Sequence, residues 1–177
     1  MVKKLALFFA YFLFFMLCVI YFAPKENLYY LLEQKLQPFA VIISDEKVID
    51  SGFSLKLKDA KLYVQSVESA DISEMEIKPF FVFNALHVSG IELAKISSSF
   101  APTKIEKIDI TQSLINPVVL HVSARGEFGE MSGSFNMLHN HLSAVVKPSE
   151  LMLKNYKNSL RYFSINEEGE YVYDKDL

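Results

Sequence analysis

The clearest periodic stretch in this chain is VVLHVSAR, residues 118–125. Apolar and polar side chains alternate along it, and successive side chains of a β-strand point to opposite faces. One face would carry Val118, Leu120, Val122 and Ala124, and the other would carry Val119, His121, Ser123 and Arg125. We therefore predict a strand whose Leu120 face is buried and whose His121 ring points to the other side.

Similar short alternations lie on both sides of this stretch, with turn signals about every ten residues. A break is expected near Ser73-Glu74 and a hairpin turn at His139-Asn140. The alternations fall at residues 41–43, 53–57, 62–64, 72–77, 88–93, 108–110, 135–137 and 142–146. The series predicts a mainly β fold with two or three helices, built on an antiparallel sheet that is curved, packed as a sandwich or rolled into a half-barrel.

A short amphipathic helix is predicted before the strands. Asn27 could cap its start, and Pro38 prevents its continuation. Its function could be to lie on a membrane surface, but packing on the chain's own sheet is the simpler interpretation. The leucines that share one helical face are Leu28, Leu31, Leu32 and Leu36.

A second helix is predicted near the end of the chain, with Ser149 as its N-cap. A turn at Glu168-Gly169 and a last strand over residues 170–173 would follow it. The apolar stripe of this helix consists of Met152, Tyr156, Leu160 and Phe163.

The N-terminal segment, residues 5–23, reads LALFFAYFLFFMLCVIYFA and carries no charge. Roughly 20 apolar residues in a helix span a bilayer core of about 30 Å. A cleaved signal peptide is the alternative, but this run is longer than a typical apolar signal region. It also ends in the large rings of Tyr21 and Phe22, where cleavage needs small residues. We therefore expect an uncleaved anchor.

The charges beside this segment predict its orientation. Lys3 and Lys4 precede it and no acid does, which places the N-terminus in the cytoplasm by the positive-inside rule. Residues 1–4 are then a cytoplasmic tip, residues 5–23 the transmembrane helix and residues 24–177 a periplasmic β-rich domain. A bacterial inner membrane would hold such a chain. Cys18 could suggest a lipoprotein, but Phe15, Met16 and Leu17 before it do not match a lipidation site, and a buried apolar cysteine is expected instead.

Composition excludes several classes of protein. Without Lys3 and Lys4, the 18 basic residues fall to 16 against 21 acidic ones, a net charge of −5. Nucleic acid is not expected as a partner, because phosphate binding requires a basic surface. Cys18 is the only cysteine, so the domain has no internal disulfide and no cysteine metal site.

A search for catalytic or metal-binding patterns gives no site. His139 and His141 could place two rings on one side of a strand, as in some metal sites, but no third ligand follows at a useful spacing. Ser132 lies between glycines at the wrong spacing for a nucleophile elbow. No glycine loop of the phosphate-binding type is present. We therefore predict a protein that is not an enzyme, with no catalytic, cofactor-binding or metal-ligating residue.

Residues 100–173 resemble the type II secretion system protein N family. The resemblance rests on structural glycines, prolines and aromatic residues: the runs FAPTKI at 100–105, IDI at 108–110, SLINP at 113–117, ARGEFG at 124–129, Gly133, Pro148-Ser149 and EGEYVY at 168–173. It implies an inner-membrane anchor carrying a periplasmic β-rich domain related to AsmA-like and lipid-bridge proteins, without catalytic residues. Gly126, Gly129 and Gly133 are expected at turn positions that need positive φ.

Two functions follow as expectations. The first is an accessory subunit of a type II secretion system that acts by contact with other secretion proteins. The second is a lipid-handling protein, akin to the anchored export component of the lipopolysaccharide transport bridge. An open apolar groove would favour lipid, whereas a closed core would favour a contact module. A periplasmic hydrolase is disfavoured, because no catalytic constellation is present.

Overall fold

The computed structural model describes residues 2–80, 82–94 and 101–176. In this part of the chain there are three α-helices, α1 (Val2–Phe22), α2 (Lys25–Leu36) and α3 (Glu150–Asn155), and two 3₁₀ helices, Gln37–Phe39 and Lys157–Tyr162. The strands are β1 (Val41–Ser44), β2 (Lys47–Asp50), β3 (Leu55–Val64), β4 (Val67–Pro79), β5 (Phe83–Leu93), β6 (Lys104–Ser113), β7 (Asn116–Gly126), β8 (Gly129–Asn136), β9 (His141–Pro148), β10 (Ser164–Ile165) and β11 (Tyr171–Asp176).

All eleven strands belong to one curved antiparallel sheet, in the order β1-β3-β4-β5-β6-β7-β8-β9-β11-β10. β2 continues the edge begun by β1, because both strands pair with β3. From β3 to β9 each strand pairs with the next one in sequence, as hairpin connections require. The predicted mainly β fold is confirmed as a single curved sheet. β2 and β10 were not predicted.

One face of the sheet is apolar across its whole width. Residues directly opposite each other in neighbouring strands share a face. The register therefore aligns two apolar rows: Leu57, Met75, Val88, Ile108, Ala124, Met131, Val146 and Tyr171 in one, and Leu55, Ile77, Leu86, Ile110, Val122, Gly133, Ala144 and Tyr173 in the other.

The alternation changes phase at one line across four strands. In each of the strands β3 to β6, the inward-facing apolar side chains are interrupted by two consecutive residues that have no large apolar side chain. These pairs are residues 58–59, 73–74, 89–90 and 106–107. Asp59 and Gly90 have positive φ on this line. β4 is continuous through Ser73-Glu74, so the predicted break is a change of phase within one strand.

The first half of the apolar face is closed by α2. Tyr29 is fully buried there against Ile43, Leu55 and Leu57, and Leu36 packs against the same core. The expected packing of this helix on its own sheet is confirmed. Its predicted face is wrong in detail, because Leu31 is exposed, and the side chain of Leu28 lies outside the described residues.

α2 begins two residues before the predicted Asn27 cap and ends before Pro38, as predicted. The helix begins at Lys25 after Pro24, with no side-chain cap, so the predicted Asn27 cap is wrong. The helix ends at Leu36, and Pro38 lies in the following 3₁₀ helix. Backbone carbonyls satisfy two of the first N–H groups instead: the Lys25 N–H donates to the Ala23 oxygen at 2.9 Å and the Asn27 N–H to the Pro24 oxygen at 3.1 Å.

The C-terminal helix is shorter than predicted. Ser149 caps α3 as expected, its Oγ accepting a hydrogen bond from the Met152 N–H at 3.1 Å. The helix stops at Asn155, and Leu160 reaches the core from the separate 3₁₀ helix. The predicted turn at Glu168-Gly169 is confirmed by a φ of +78° at Gly169.

Two of the three glycines expected at positive φ do not need it. Gly129 has φ +113°, but Gly126 and Gly133 lie in strands with ordinary extended backbone. A Cβ at Gly126 would come within 2.7 Å of the Lys104 carbonyl oxygen. Close approach of the neighbouring strand, rather than a left-handed turn, explains this glycine.

The hairpins divide between two ends of the sheet. The anchor end holds residues 51–54, the turns at 114–115 and 137–140, and Phe80 and Val82 in the connection between β4 and β5. The far end holds the turns at 65–66 and 127–128 and the start of α3. α1 reaches the domain at the anchor end.

Candidate functional site

The first feature with functional potential is the joint between α1 and the sheet. The ring of Tyr21 packs edge-on against Phe53, with 5.3 Å between centroids. The same ring lies over Gly52, where a Cβ would overlap it, and Gly52 has φ +79°. Phe53, predicted to belong to a strand, instead precedes β3 and forms part of this joint. Glycine is therefore required at this position by both space and backbone conformation.

A buried lysine is the second part of the joint. The Lys25 side chain is fully buried, and its Nζ lies 3.4 Å from Asp50 Oδ1. It also donates hydrogen bonds to the carbonyl oxygens of Tyr21 and Ala23, both at 3.1 Å. These two carbonyls belong to the end of α1 and the residue after it. The lysine thus ties the end of the anchor to the edge of the sheet.

A hydrogen bond between a tyrosine and a glutamate completes the joint. The Tyr29 hydroxyl donates a hydrogen bond to Glu46 Oε1 at 2.8 Å. Burial raises the pKa of Tyr29, and the neighbouring Glu46 carboxylate raises it further. This bond fixes α2 to the connection between β1 and β2. Together the three contacts hold the domain in one orientation relative to the end of α1.

The second feature is the half of the apolar face that α2 does not cover. We call it the open face and define it by Ile110, Leu120, Val122, Phe135, Leu142, Ala144 and Tyr173. These side chains are half-buried, whereas Leu55 and Leu57 on the covered half are fully buried. The prediction that the Leu120 face is buried is therefore wrong in the extent of burial, because Leu120 and Val122 are half-buried. At the edge of this half Phe163 packs against Tyr173, with 5.7 Å between ring centroids, and α3 contacts β9. The other side chains of the open face remain half-buried.

The open face has dimensions that suit an extended apolar ligand. It crosses β6, β7, β8, β9 and β11, which at about 4.8 Å between strands spans roughly 19 Å. One leaflet of a bilayer core is about 15 Å thick. Gly133 and Ala144 lie directly opposite each other in it and leave room between the larger side chains.

The opposite face of the sheet is polar and carries paired charges. His87 and Lys107 both contact the Asp109 carboxylate, Lys107 at 2.8 Å. Burial alone would raise the pKa of Asp109, but the hydrogen bonds and charges of Lys107 and His87 lower it on balance. Ser132 lies in the same shallow depression. In the described part of the chain no histidine bonds to its hydroxyl.

His139 and His141 line one shallow depression with Asn136 and Asp176. His141 lies between two carboxylates, with Nδ1 2.8 Å from Asp176 and Nε2 3.2 Å from Asp174. His139 is in the adjoining turn. A metal needs ligand atoms aimed at one centre, whereas this ring uses its two nitrogens on opposite sides. Among the described residues, no group of three or more His, Cys, Asp and Glu side chains could hold a metal ion.

The remaining predicted candidates are dispersed. His121 is exposed on the polar face, and Cys18 is partly buried on α1. The joint was not predicted, because the partners of Lys25 and Tyr29 lie far along the chain. A single lysine directly after the apolar run was the only available signal.

α1 is long and apolar enough to span a membrane, with Lys3–Phe22 as the candidate span. Comparisons with protein-family models, with curated proteins and with solved structures found no match.

Proposed function

We propose that this chain is a single-pass inner-membrane protein whose periplasmic domain is an accessory subunit of a type II secretion system. It acts by contact with other secretion proteins and not by catalysis. The resemblance of residues 100–173 suggests the pathway. The joint is the observation that supports a contact role, because a fixed orientation lets the domain present one surface to partners beside the membrane.

The joint offers a direct test. A flexible Gly-Ser insertion between Ala23 and Pro24 would separate α1 from the sheet without changing a domain residue. We expect secretion, measured in a deletion strain that carries the variant, to fall to the level of the deletion. The same insertion after Gly169, in an exposed turn, is the matched control and should leave secretion intact.

The deletion itself tests the pathway. A deletion strain that still exports every type II substrate at the normal rate would contradict the secretion role. Full secretion by the Ala23–Pro24 insertion variant would contradict the fixed-orientation argument. Both measurements need an immunoblot showing that the variants reach the membrane in normal amounts.

The second candidate is lipid handling, and the open face favours it. Its half-buried side chains are apolar, its length exceeds one bilayer leaflet, and it adjoins a membrane anchor. Burying an acyl chain there would remove apolar area from water on both partners, at about 25 cal/mol per Å². A bound lipid would therefore be retained during gentle purification.

Native mass spectrometry of the full-length protein tests this candidate. A mass increment equal to a phospholipid or lipid A is expected if the open face binds acyl chains. Val122→Asp places a charge on this face and should abolish the increment, whereas Ser123→Asp on the opposite face should not. A lipid-free mass for the unmodified protein, or equal lipid loading of both variants, would exclude the open face as a lipid site.

A further inference from the structure

The turns at the anchor end carry large apolar side chains in water. Ile115 is 97 % exposed and Leu114 is 62 % exposed in the two-residue turn between β6 and β7. Tight turns are ordinarily built from Gly, Asn, Asp, Ser and Pro. Among the described residues of the three hairpins that turn at this end, six large apolar side chains are exposed, and we call them the apolar rim: Val82, Phe83, Leu114, Ile115, Met137 and Leu138.

Backbone hydrogen bonds tie the turns at this end to neighbouring hairpins. The Leu114 N–H donates to the Val82 carbonyl oxygen at 3.0 Å, across two hairpins. The Met137 N–H donates to the Val118 carbonyl oxygen at 2.8 Å, tying the third hairpin to the start of β7. The apolar rim is therefore one connected edge and not three independent loops.

Charge is absent from the hairpins that form most of this edge. Residues 79–86 read PFFVFNAL and residues 110–120 read ITQSLINPVVL, with no charged residue in either. The far end is different: residues 104–109 read KIEKID and residues 125–130 read RGEFGE. The exposed residues in its turns include Gln65, Ser66 and Glu127. Val67, Leu151 and Leu153 are also exposed at the far end. Among the described turn residues, however, the most exposed apolar side chains are Ile115, Leu138 and Val82, at the anchor end.

The same end holds the exit of α1. Tyr21 and Phe22 close the apolar helix, and Tyr21 packs against Gly52 and Phe53 at the anchor end. Aromatic rings at the ends of a spanning helix lie at the level of the lipid headgroups. The joint therefore places the apolar rim beside the level at which α1 leaves the bilayer.

We propose that the apolar rim is a membrane contact that inserts into the headgroup and acyl boundary of the lipid bilayer. The inference rests on the membrane anchoring in the proposed function. Its partner is lipid, because the rim continues the apolar surface of the anchor and carries no charge suited to a polar protein partner. The contact would give the domain a second attachment to the membrane, in the orientation that the joint sets.

The chain contains no tryptophan, so a single introduced tryptophan reports its own surroundings. Full-length protein is reconstituted in vesicles of phosphatidylethanolamine and phosphatidylglycerol, with and without brominated acyl chains that quench indole fluorescence. Ile115→Trp and Val82→Trp report on the rim. Glu127→Trp, in an exposed turn at the far end, is the matched control, and Phe12→Trp reports on the anchor.

We expect brominated lipid to remove most of the fluorescence of Ile115→Trp and Val82→Trp and to leave that of Glu127→Trp unchanged. Adding Leu114→Ser to Val82→Trp should reduce the quenching. Emission from Ile115→Trp as red-shifted and unquenched as that of Glu127→Trp would overturn the membrane contact. Quenching of Phe12→Trp in the same vesicles separates that result from a failed anchor, since an unquenched Phe12→Trp would contradict the proposed membrane anchoring itself.

Discussion

The Ser73 hydroxyl donates a hydrogen bond to the carbonyl oxygen of Gly90, across neighbouring strands, at 2.9 Å. Both residues lie on the line where the alternation of β3 to β6 changes phase. Gly90 has φ +63°, which L-residues rarely adopt. This local conformation allows Val88 and Ile91, three positions apart, to face the same core. A strict period of two would have placed one of them on the polar face.

We predict that Gly90→Ala destabilises the domain. The left-handed backbone costs an L-residue about 1–2 kcal/mol. A Cβ would also come within 2.5 Å of Ser73 Oγ. Displacing that hydroxyl breaks its hydrogen bond, which contributes about 1 kcal/mol to the free energy of unfolding. Thermal unfolding of the full-length protein in detergent, followed by circular dichroism, measures the loss.

Gly169→Ala is the control for this prediction. Gly169 also has positive φ, +78°, but no atom lies within 4 Å of a Cβ placed there. It should therefore show only the backbone cost. Adding Ser73→Gly to Gly90→Ala should recover part of the extra loss, and equal unfolding temperatures for the two alanine variants would contradict the proposed clash.

The sequence predicted the strand class well because alternation is a local property. The stretch at 118–125 is a continuous strand, as expected. The phase change could not be predicted, because Asp59, Ser73, Gly90 and Glu106 become one line only when four strands are paired. From sequence alone, the spacing at Ser73-Glu74 indicates a break.

We predict that Leu57→Ala costs more stability than Leu120→Ala. Leu57 is fully buried under α2, where truncation costs roughly 2–5 kcal/mol including the cavity. Leu120 is half-buried on the open face, so its truncation should cost only roughly 1–2 kcal/mol of transfer free energy. Urea unfolding of both variants measures the difference. Equal losses would mean that something covers the open face in solution.

We predict that Asp50→Asn destabilises the joint. The asparagine can still accept the hydrogen bond from the Gly52 N–H, now made at 2.8 Å, so the change mainly removes charge. The buried Lys25 ammonium then lacks its carboxylate, at a cost of about 1–3 kcal/mol. Lys47→Met breaks the exposed pair with Asp59 and should cost about 0–1 kcal/mol. A larger loss for Lys47→Met would refute this account.

The joint and the rim could be anticipated from sequence only in part. Tyr21 and Phe22 were expected at a membrane interface from their place after the apolar run. The partners of Lys25 and Tyr29 were not expected. Asp50 and Glu46 are two of many acidic residues at similar distances along the chain, so the sequence does not single them out. His139 and His141 were close in sequence, yet the ring of His141 faces β11, which a spacing of two residues cannot reveal.

The topology is tested by fusions after Leu177. The two N-terminal lysines predict a cytoplasmic N-terminus, so the C-terminus should be periplasmic. Alkaline phosphatase fused there should be active, because it folds only after export, and green fluorescent protein should be dark. The opposite pattern would invert the orientation, and mature protein starting near residue 24 would identify a cleaved signal peptide.

The last prediction concerns pH and the attachment of β11 to β9. The hydrogen bond with Asp176 is the main cause that raises the pKa of His141 above its ordinary value of 6.5, with Asp174 adding to it. A raised pKa means that the protonated ring is favoured in the folded state. Its stabilising effect is therefore complete below about pH 6.5 and is lost as pH rises through the raised pKa.

His141→Gln should accordingly lower the unfolding temperature more at about pH 5.5 than at about pH 8.5. The partner variant Asp176→Asn isolates the cause, since it removes the charge that the protonated ring faces while leaving an acceptor. In the Asp176→Asn background, the pH dependence of the His141→Gln effect should shrink. An effect of His141→Gln that grows as pH rises would show that the neutral ring, and not the charged one, holds the two strands together.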